Sequence, residues 1–188
     1  ALVLGGDLDK PEGPFADAAQ LLRDGGLKQA GIAEIGVAGY PEGHPRIASS
    51  VLASALQEKL GLARTQGLGA WVVTQFSFAP NRIVEFCGQL QRADPDVPVY
   101  VGMPGPTNPA RLIRFAQACG VSASLRAMTA QGMGAVRLFT NTDPIDQLHA
   151  VARHCMGGAT SNVVGIHLFT FGGIEPAAVW LNRQFATA

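Results

Sequence analysis

The chain has 188 residues, enough for one domain with a substantial core. Apolar residues make up 47% and charged residues 15%, a balance that excludes a disordered or coiled-coil chain. Lys and Arg number 14, as do Asp and Glu, and no basic run appears, which argues against a nucleic-acid partner.

Short β-branched or apolar runs alternate with longer segments of helical spacing. The first run, 2–4, ends at Gly5-Gly6-Asp7, and a helix is predicted over 15–24, stopped by Gly25-Gly26. The second run is 34–40. Its helix, 47–64, carries Val51, Leu52, Ala55, Leu56 and Leu60 as an apolar stripe. The third run is 70–78, with a helix over 81–92. The fourth is 97–103, with a helix over 109–119, where Pro109 suits the first turn. A short polar, helix-like stretch is read over 122–134, then a helix over 144–155, a last strand over 163–171 and a closing helix ending near 185.

Strands that alternate with helices, without hairpin turns, predict a parallel α/β sheet with right-handed crossovers. A doubly wound sheet and a (β/α)8 barrel both fit this alternation. No G-x-G-x-x-G or Walker-type G-K-[ST] follows a strand, which weakens the nucleotide-binding open sheet. One domain over 1–188 is the simplest reading. No apolar stretch reaches the roughly 18 residues of a membrane span, and no signal peptide is visible. Cys87, Cys119 and Cys155 form no C-x-x-C pair, so neither a disulfide framework nor a zinc site is expected and a reducing cytoplasm is the default. His149 and His154 do not share a helix face well, and no metal site is proposed there.

Function in a parallel barrel collects at the carboxyl ends of the strands. The first strand delivers Asp7 there. The second delivers Tyr40, then Glu42 and His44. The third delivers Thr74, Gln75 and Ser77. The fourth delivers Met103 and the turn Pro104-Gly105-Pro106-Thr107-Asn108, and the last delivers His167 and Thr170. Alternation puts Glu34, Gly36, Ala38 and Tyr40 on one face, where the small residues leave room either for a flat ligand or for core packing. Trp71, Val73, Gln75 and Ser77 share the corresponding face of the third run, apolar below and polar near the mouth. His44 precedes a long helix, where it can help bind an anion or serve as a loop residue.

Three segments in order carry a resemblance: Gly5-Gly6-Asp7-Leu8, Ala38-Gly39-Tyr40-Pro41-Glu42-Gly43-His44-Pro45, and Thr74-Gln75-Phe76-Ser77-Phe78. Together they resemble the methylenetetrahydrofolate reductase family, over 1–125 and more weakly to the last strand. The resemblance implies a (β/α)8 barrel that binds FAD. It also implies hydride transfer from NAD(P)H through the flavin to 5,10-methylenetetrahydrofolate, or the reverse. Asp7 then matches the aspartate beside flavin and pterin, a catalytic position where a carboxylate disfavours extra negative charge on reduced flavin. Tyr40 resembles the flavin-side tyrosine, and His44 and Lys59 resemble positions near the FAD phosphates and adenosine. Gln75 matches the glutamine that hydrogen-bonds the folate and is set with Asp7 as a catalytic position, with Phe76 beside it in the substrate set.

The same resemblance aligns this chain from the fourth barrel strand, covering about the last five strand-helix units. The family's catalytic glutamate lies on the first strand and is expected in a segment ahead of Ala1. The loop Pro106-Thr107-Asn108-Pro109 lacks the aromatic that family members carry there, and Val51 to Ala53 lack an acidic residue. The alternative is a folate-binding barrel without reductase activity. A barrel aldolase would need a Schiff-base lysine or metal carboxylate site at a strand end, and none stands out. A homo-oligomer is compatible with the sequence, as is a monomer.

Overall fold

The computed structural model describes residues 1–5, 10–121, 145–156 and 161–186. In chain order its elements are β1 (Leu2–Val3), α1 (Ala18–Asp24), α2 (Gly26–Gln29), β2 (Glu34–Gly39), α3 (Ser49–Thr65) and β3 (Gly69–Thr74). They continue with α4 (Pro80–Ala93), β4 (Val99–Pro104), α5 (Pro109–Ala118), α6 (Ile145–Met156), β5 (Val163–Phe169) and α7 (Ile174–Phe185). The stretch 122–134 and the turn Asn141-Thr142-Asp143 lie outside the described residues, as does Asp7.

Local chemistry explains the helix ends. Asp17 caps α1 by accepting from the Gln20 N–H at 2.8 Å. Gly25 closes α1 in the left-handed region at φ 76°, as the double glycine predicts. Asn108 caps α5 through the Arg111 N–H at 2.8 Å, with Pro109 next in the first turn.

The strands form one parallel sheet in the order β1-β2-β3-β4-β5. Each crossover therefore advances one strand in the same direction. A doubly wound sheet reverses its order at a switch point, and this one does not. The winding is that of a TIM-type barrel, of which these strands form part.

One face of the sheet makes the main core. Val3, Ile35, Val37, Val72, Val99, Val101 and Met103 pack against Leu22, Leu56, Leu60, Ile83 and Leu90 of the helices. Thr74 is fully buried, and its hydroxyl accepts from the Gly102 N–H at 2.8 Å, tying β3 to β4 near their ends.

A second apolar cluster lies apart from the first and changes the reading of α5. None of α5's residues enters the main core. Leu112 and Ala116 instead pack with Phe76 and Val121, flanked by Phe78, Phe169 and Phe171 from the carboxyl ends of β3 and β5. Near the start of α5, Arg111 donates to the Phe171 carbonyl at 3.1 Å. Just past its end, a Cβ on Gly120 would sit 2.3 Å from Pro45 Cδ, beyond β2. Ten residues of helix span about 15 Å, close to the three strand steps of about 14 Å from β5 to β2. Thus α5 lies across the mouth of the sheet. The helix of this crossover that packs on the main core is α6, through Val151 and Leu148.

Candidate active site

A cavity of about 930 Å³ opens at the carboxyl end of β2, between the amino-terminal halves of α3 and α4. Ala38, Gly39 and Tyr40 form its floor and lip. Ser49, Leu52 and Ala53 line one wall, and Phe78, Asn81 and Arg82 the other. Both helices begin at the cavity with alanine caps, Ala48 and Ala79, which make no side-chain capping bond. Their first N–H groups carry partial positive charge with no side-chain acceptor in the cap position. The wall from α4 was not foreseen from sequence. Its trace there is the helix start at Pro80, which puts Asn81 and Arg82 in the first turn.

Tyr40 and His44 are brought together by the turn between them. Gly43 donates to the Tyr40 carbonyl at 3.1 Å, closing a turn with Pro41 in its second position and Gly43 at φ 80°. This folds His44 back so that its ring meets the Tyr40 ring edge-on, with centroids 5.7 Å apart. The His44 Nδ1 accepts from the Arg46 N–H at 3.2 Å. With Nδ1 accepting, the imidazole's other nitrogen, Nε2, is the one placed to donate.

Gln75 stands beside Tyr40 one strand over. The register pairs Gly39 with Thr74, so Tyr40 and Gln75 occupy the next level together. The Gln75 N–H continues the ladder to the Gly39 carbonyl at 2.7 Å. Its Oε1 accepts from the Phe76 N–H at 3.1 Å, and its amide NH2 carries the two donors.

The face shared by Gly36, Ala38 and Tyr40 is resolved in favour of packing at its lower end. A Cβ on Gly36 would lie 2.4 Å from the Trp71 ring, so the indole of β3 fills the space that Gly36 leaves. Trp71 in turn meets Tyr100 edge-on, at 5.5 Å between centroids. Ala38, one step higher, lines the cavity.

Ser77 is not at the mouth. The strand stops at Thr74, and fully buried Ser77 accepts from the Ala79 N–H at 2.9 Å, anchoring the start of α4. Phe76 is also fully buried, in the cluster under α5, with Phe171 at 5.0 Å and Phe169 at 5.9 Å between centroids. It backs Gln75 through the backbone and presents no exposed surface. Lys59 does not line the cavity. It lies one turn beyond Leu56 on the same stripe of α3. Burial holds its ammonium below the usual lysine range, while Asp17 and Glu58 pull the other way. Cys87 belongs to the main core and Cys119 is half-buried at the end of α5.

Fold and site together define a class: a barrel-type parallel α/β domain with a cavity at the carboxyl end of one of its strands. Within that class the chain belongs to the methylenetetrahydrofolate reductase family, whose profile matches residues 2–171. It is similar to methylenetetrahydrofolate reductase 2 of Saccharomyces cerevisiae, at 30% identity over 109 residues. That match covers 56% of this chain and 17% of the yeast protein. The chain thus spans less than a fifth of the length of this curated relative.

Proposed function

We propose that this chain carries the flavin and folate pocket of a methylenetetrahydrofolate reductase, an oxidoreductase using NAD(P)H and FAD to convert 5,10-methylenetetrahydrofolate to 5-methyltetrahydrofolate. Alongside family membership, the observation that carries this reading is the cavity itself. Its volume of about 930 Å³ is at the upper end of small-ligand sites and suits a dinucleotide. Two helix starts with alanine caps suit a pyrophosphate. The residues present therefore fit FAD.

In this reading Tyr40 contacts the flavin and His44 directs its Nε2–H to the phosphates. Lys59 adds positive charge from one turn below the cavity wall. Asp7 orients the pterin and disfavours negative charge on the reduced ring. Gln75 donates its amide NH2 to the folate, and Phe76 acts as the packed support that holds Gln75 in place. FAD when bound supplies the two-electron carrier chemistry, and the protein supplies orientation and electrostatics.

The barrel is proposed to be closed by further strands pairing with the outer edges of β1 and β5. Leu2 and Leu4 are 39% and 59% exposed on the concave side while Val3 between them is 5% exposed. Covering a leucine is worth about 1.5–3 kcal/mol, a strong reason for such a face to be covered.

The test uses the full-length protein. It should be yellow, with flavin absorbance that NAD(P)H bleaches and methylenetetrahydrofolate restores. Colourless protein that takes up no added FAD overturns the reading. Flavin that binds without being reduced supports the folate-binding alternative. Gln75→Leu should weaken 5-methyltetrahydrofolate binding by about tenfold, roughly the 1.4 kcal/mol of a lost hydrogen bond, and leave FAD binding unchanged.

A further inference from the structure

His167 sits on β5, opposite Gly102 of β4. Its neighbours Ile166 and Leu168 pack against the main core, so alternation turns His167 and Phe169 to the concave face. Val73 pairs with Tyr100, which places Gly102 level with Gln75. Tyr40, Gln75, Gly102 and His167 therefore form one row across four strands at the carboxyl end.

The imidazole is half-buried, and among the described residues neither ring nitrogen has a hydrogen-bond partner. Its nitrogens are thus open to a ligand from the concave face. The ring is nonetheless oriented: it meets the Phe169 ring at 4.7 Å between centroids and 74° between planes. Phe169 itself leans over Gly102, whose added Cβ would lie 2.8 Å from its ring. Below, Tyr100 covers Gly165 at 3.2 Å by the same measure. An oriented imidazole thus lies between the Phe169 ring on its mouth side and the Tyr100 level below, in the same row as Gln75.

We infer that His167 is a substrate-contacting residue that hydrogen-bonds the edge of the folate's pterin ring, from the side opposite Gln75. This rests on the proposed flavin and folate site. The pterin rather than the flavin is its ligand because β5 lies beyond Gln75, away from Tyr40 and the cavity. Burial holds the imidazole below the usual histidine range, so at neutral pH it carries one donor and one acceptor. A pterin edge, with its amino group and ring nitrogens and oxygen, matches both.

The experiment measures Kd for 5-methyltetrahydrofolate and for FAD in full-length wild-type protein and two variants. His167→Phe keeps the ring and the Phe169 contact but removes both nitrogens. His167→Gln keeps a donor and an acceptor. The expected result is a tenfold or greater loss of folate affinity in H167F, a loss of threefold or less in H167Q, and FAD affinity within twofold in both. Thermal melting reports whether each variant folds; if H167F does not, H167Q against His167→Leu decides the matter in the same way. Folate binding equal to wild type in the variant lacking nitrogens overturns the inference and leaves the parent reading intact. So does an equal loss in H167Q, or a loss confined to FAD. Wild-type protein that binds no folate overturns the parent reading, and the inference with it.

Discussion

On its helix-covered face the sheet presents Ile35, Val37, Val72, Val99 and Val101 with no solvent exposure, whereas the same strands turn Gly36, Trp71, Tyr100 and His167 to the concave side. One face is aliphatic, β-branched and sealed by α1, α3, α4 and α6. The other mixes glycines with aromatic rings that lean over them, and ends in a polar row at the mouth. Period-two alternation lets one strand serve both purposes without compromise. The cavity between α3 and α4 opens on the helix side; stability and contact with the proposed folate should separate by face, and substitutions can test that separation.

The largest effect is expected on the sealed face. Ile35→Ala should cost roughly 2–5 kcal/mol in denaturant unfolding, because the side chain is fully buried and a cavity remains. Tyr100→Leu, on the concave face and 36% exposed, should cost about 1 kcal/mol, chiefly the lost ring contact with Trp71. Equal losses at the two sites would remove the distinction between the faces.

Next comes Gly102→Ala, expected to destabilise by about 1–3 kcal/mol. Its Cβ would lie 2.0 Å from the Thr74 carbonyl oxygen, a backbone atom that cannot step aside. Gly61→Ala is the control. That position on α3 has nothing within 4 Å, and alanine there should stabilise by about 0.5–1 kcal/mol. A smaller and more local effect is expected from Gly120→Ala, at φ 74° against Pro45. Strain of about 1–2 kcal/mol should loosen α5 at the mouth. Hydrogen exchange should then quicken in α5 and stay unchanged in β2 and β3. Uniform quickening would mean that α5 is part of the main core after all.

Much of this was legible in the sequence where a local rule acts alone. Gly25-Gly26 stops α1 and Pro109 starts α5. The errors arose where tertiary contacts decide. The run 70–78 alternates and holds no Gly or Pro, so period-two reading extends the strand to Phe78. Phe76 and Ser77 are buried for a different reason, beneath α5 and at the start of α4. The stripe of α5 reads like that of any crossover helix, because an amphipathic face does not say which surface it covers. Gly36 posed the same problem: a glycine opposite an open face and a glycine under a neighbour's indole look alike in one dimension. The barrel winding needed the strand order, which alternation alone leaves open.

The smallest expected effect, on acid sensitivity, probes the concave face alone. His167 has a pKa below its ordinary 6.5, and burial is the cause; among the described residues no charged neighbour contributes. The unfolded chain therefore binds a proton at this residue more readily than the folded one. Where the folded form stays neutral and the unfolded form protonates, stability rises with pH. Full stability from this residue is present above 6.5 and is lost as pH falls through the lower folded value. Melting of wild-type protein should thus decline between pH 7.5 and 5 slightly more than that of His167→Gln, which cannot titrate. Ile35→Ala should melt lower at every pH yet keep the wild-type slope, since it leaves the imidazole untouched. A bound folate should suppress proton uptake further, because a neutral ring that both donates and accepts is the form it requires. The wild-type slope should then steepen in the presence of 5-methyltetrahydrofolate while that of the glutamine variant does not. An unchanged wild-type slope with ligand would place His167 on the concave face without a role in binding there.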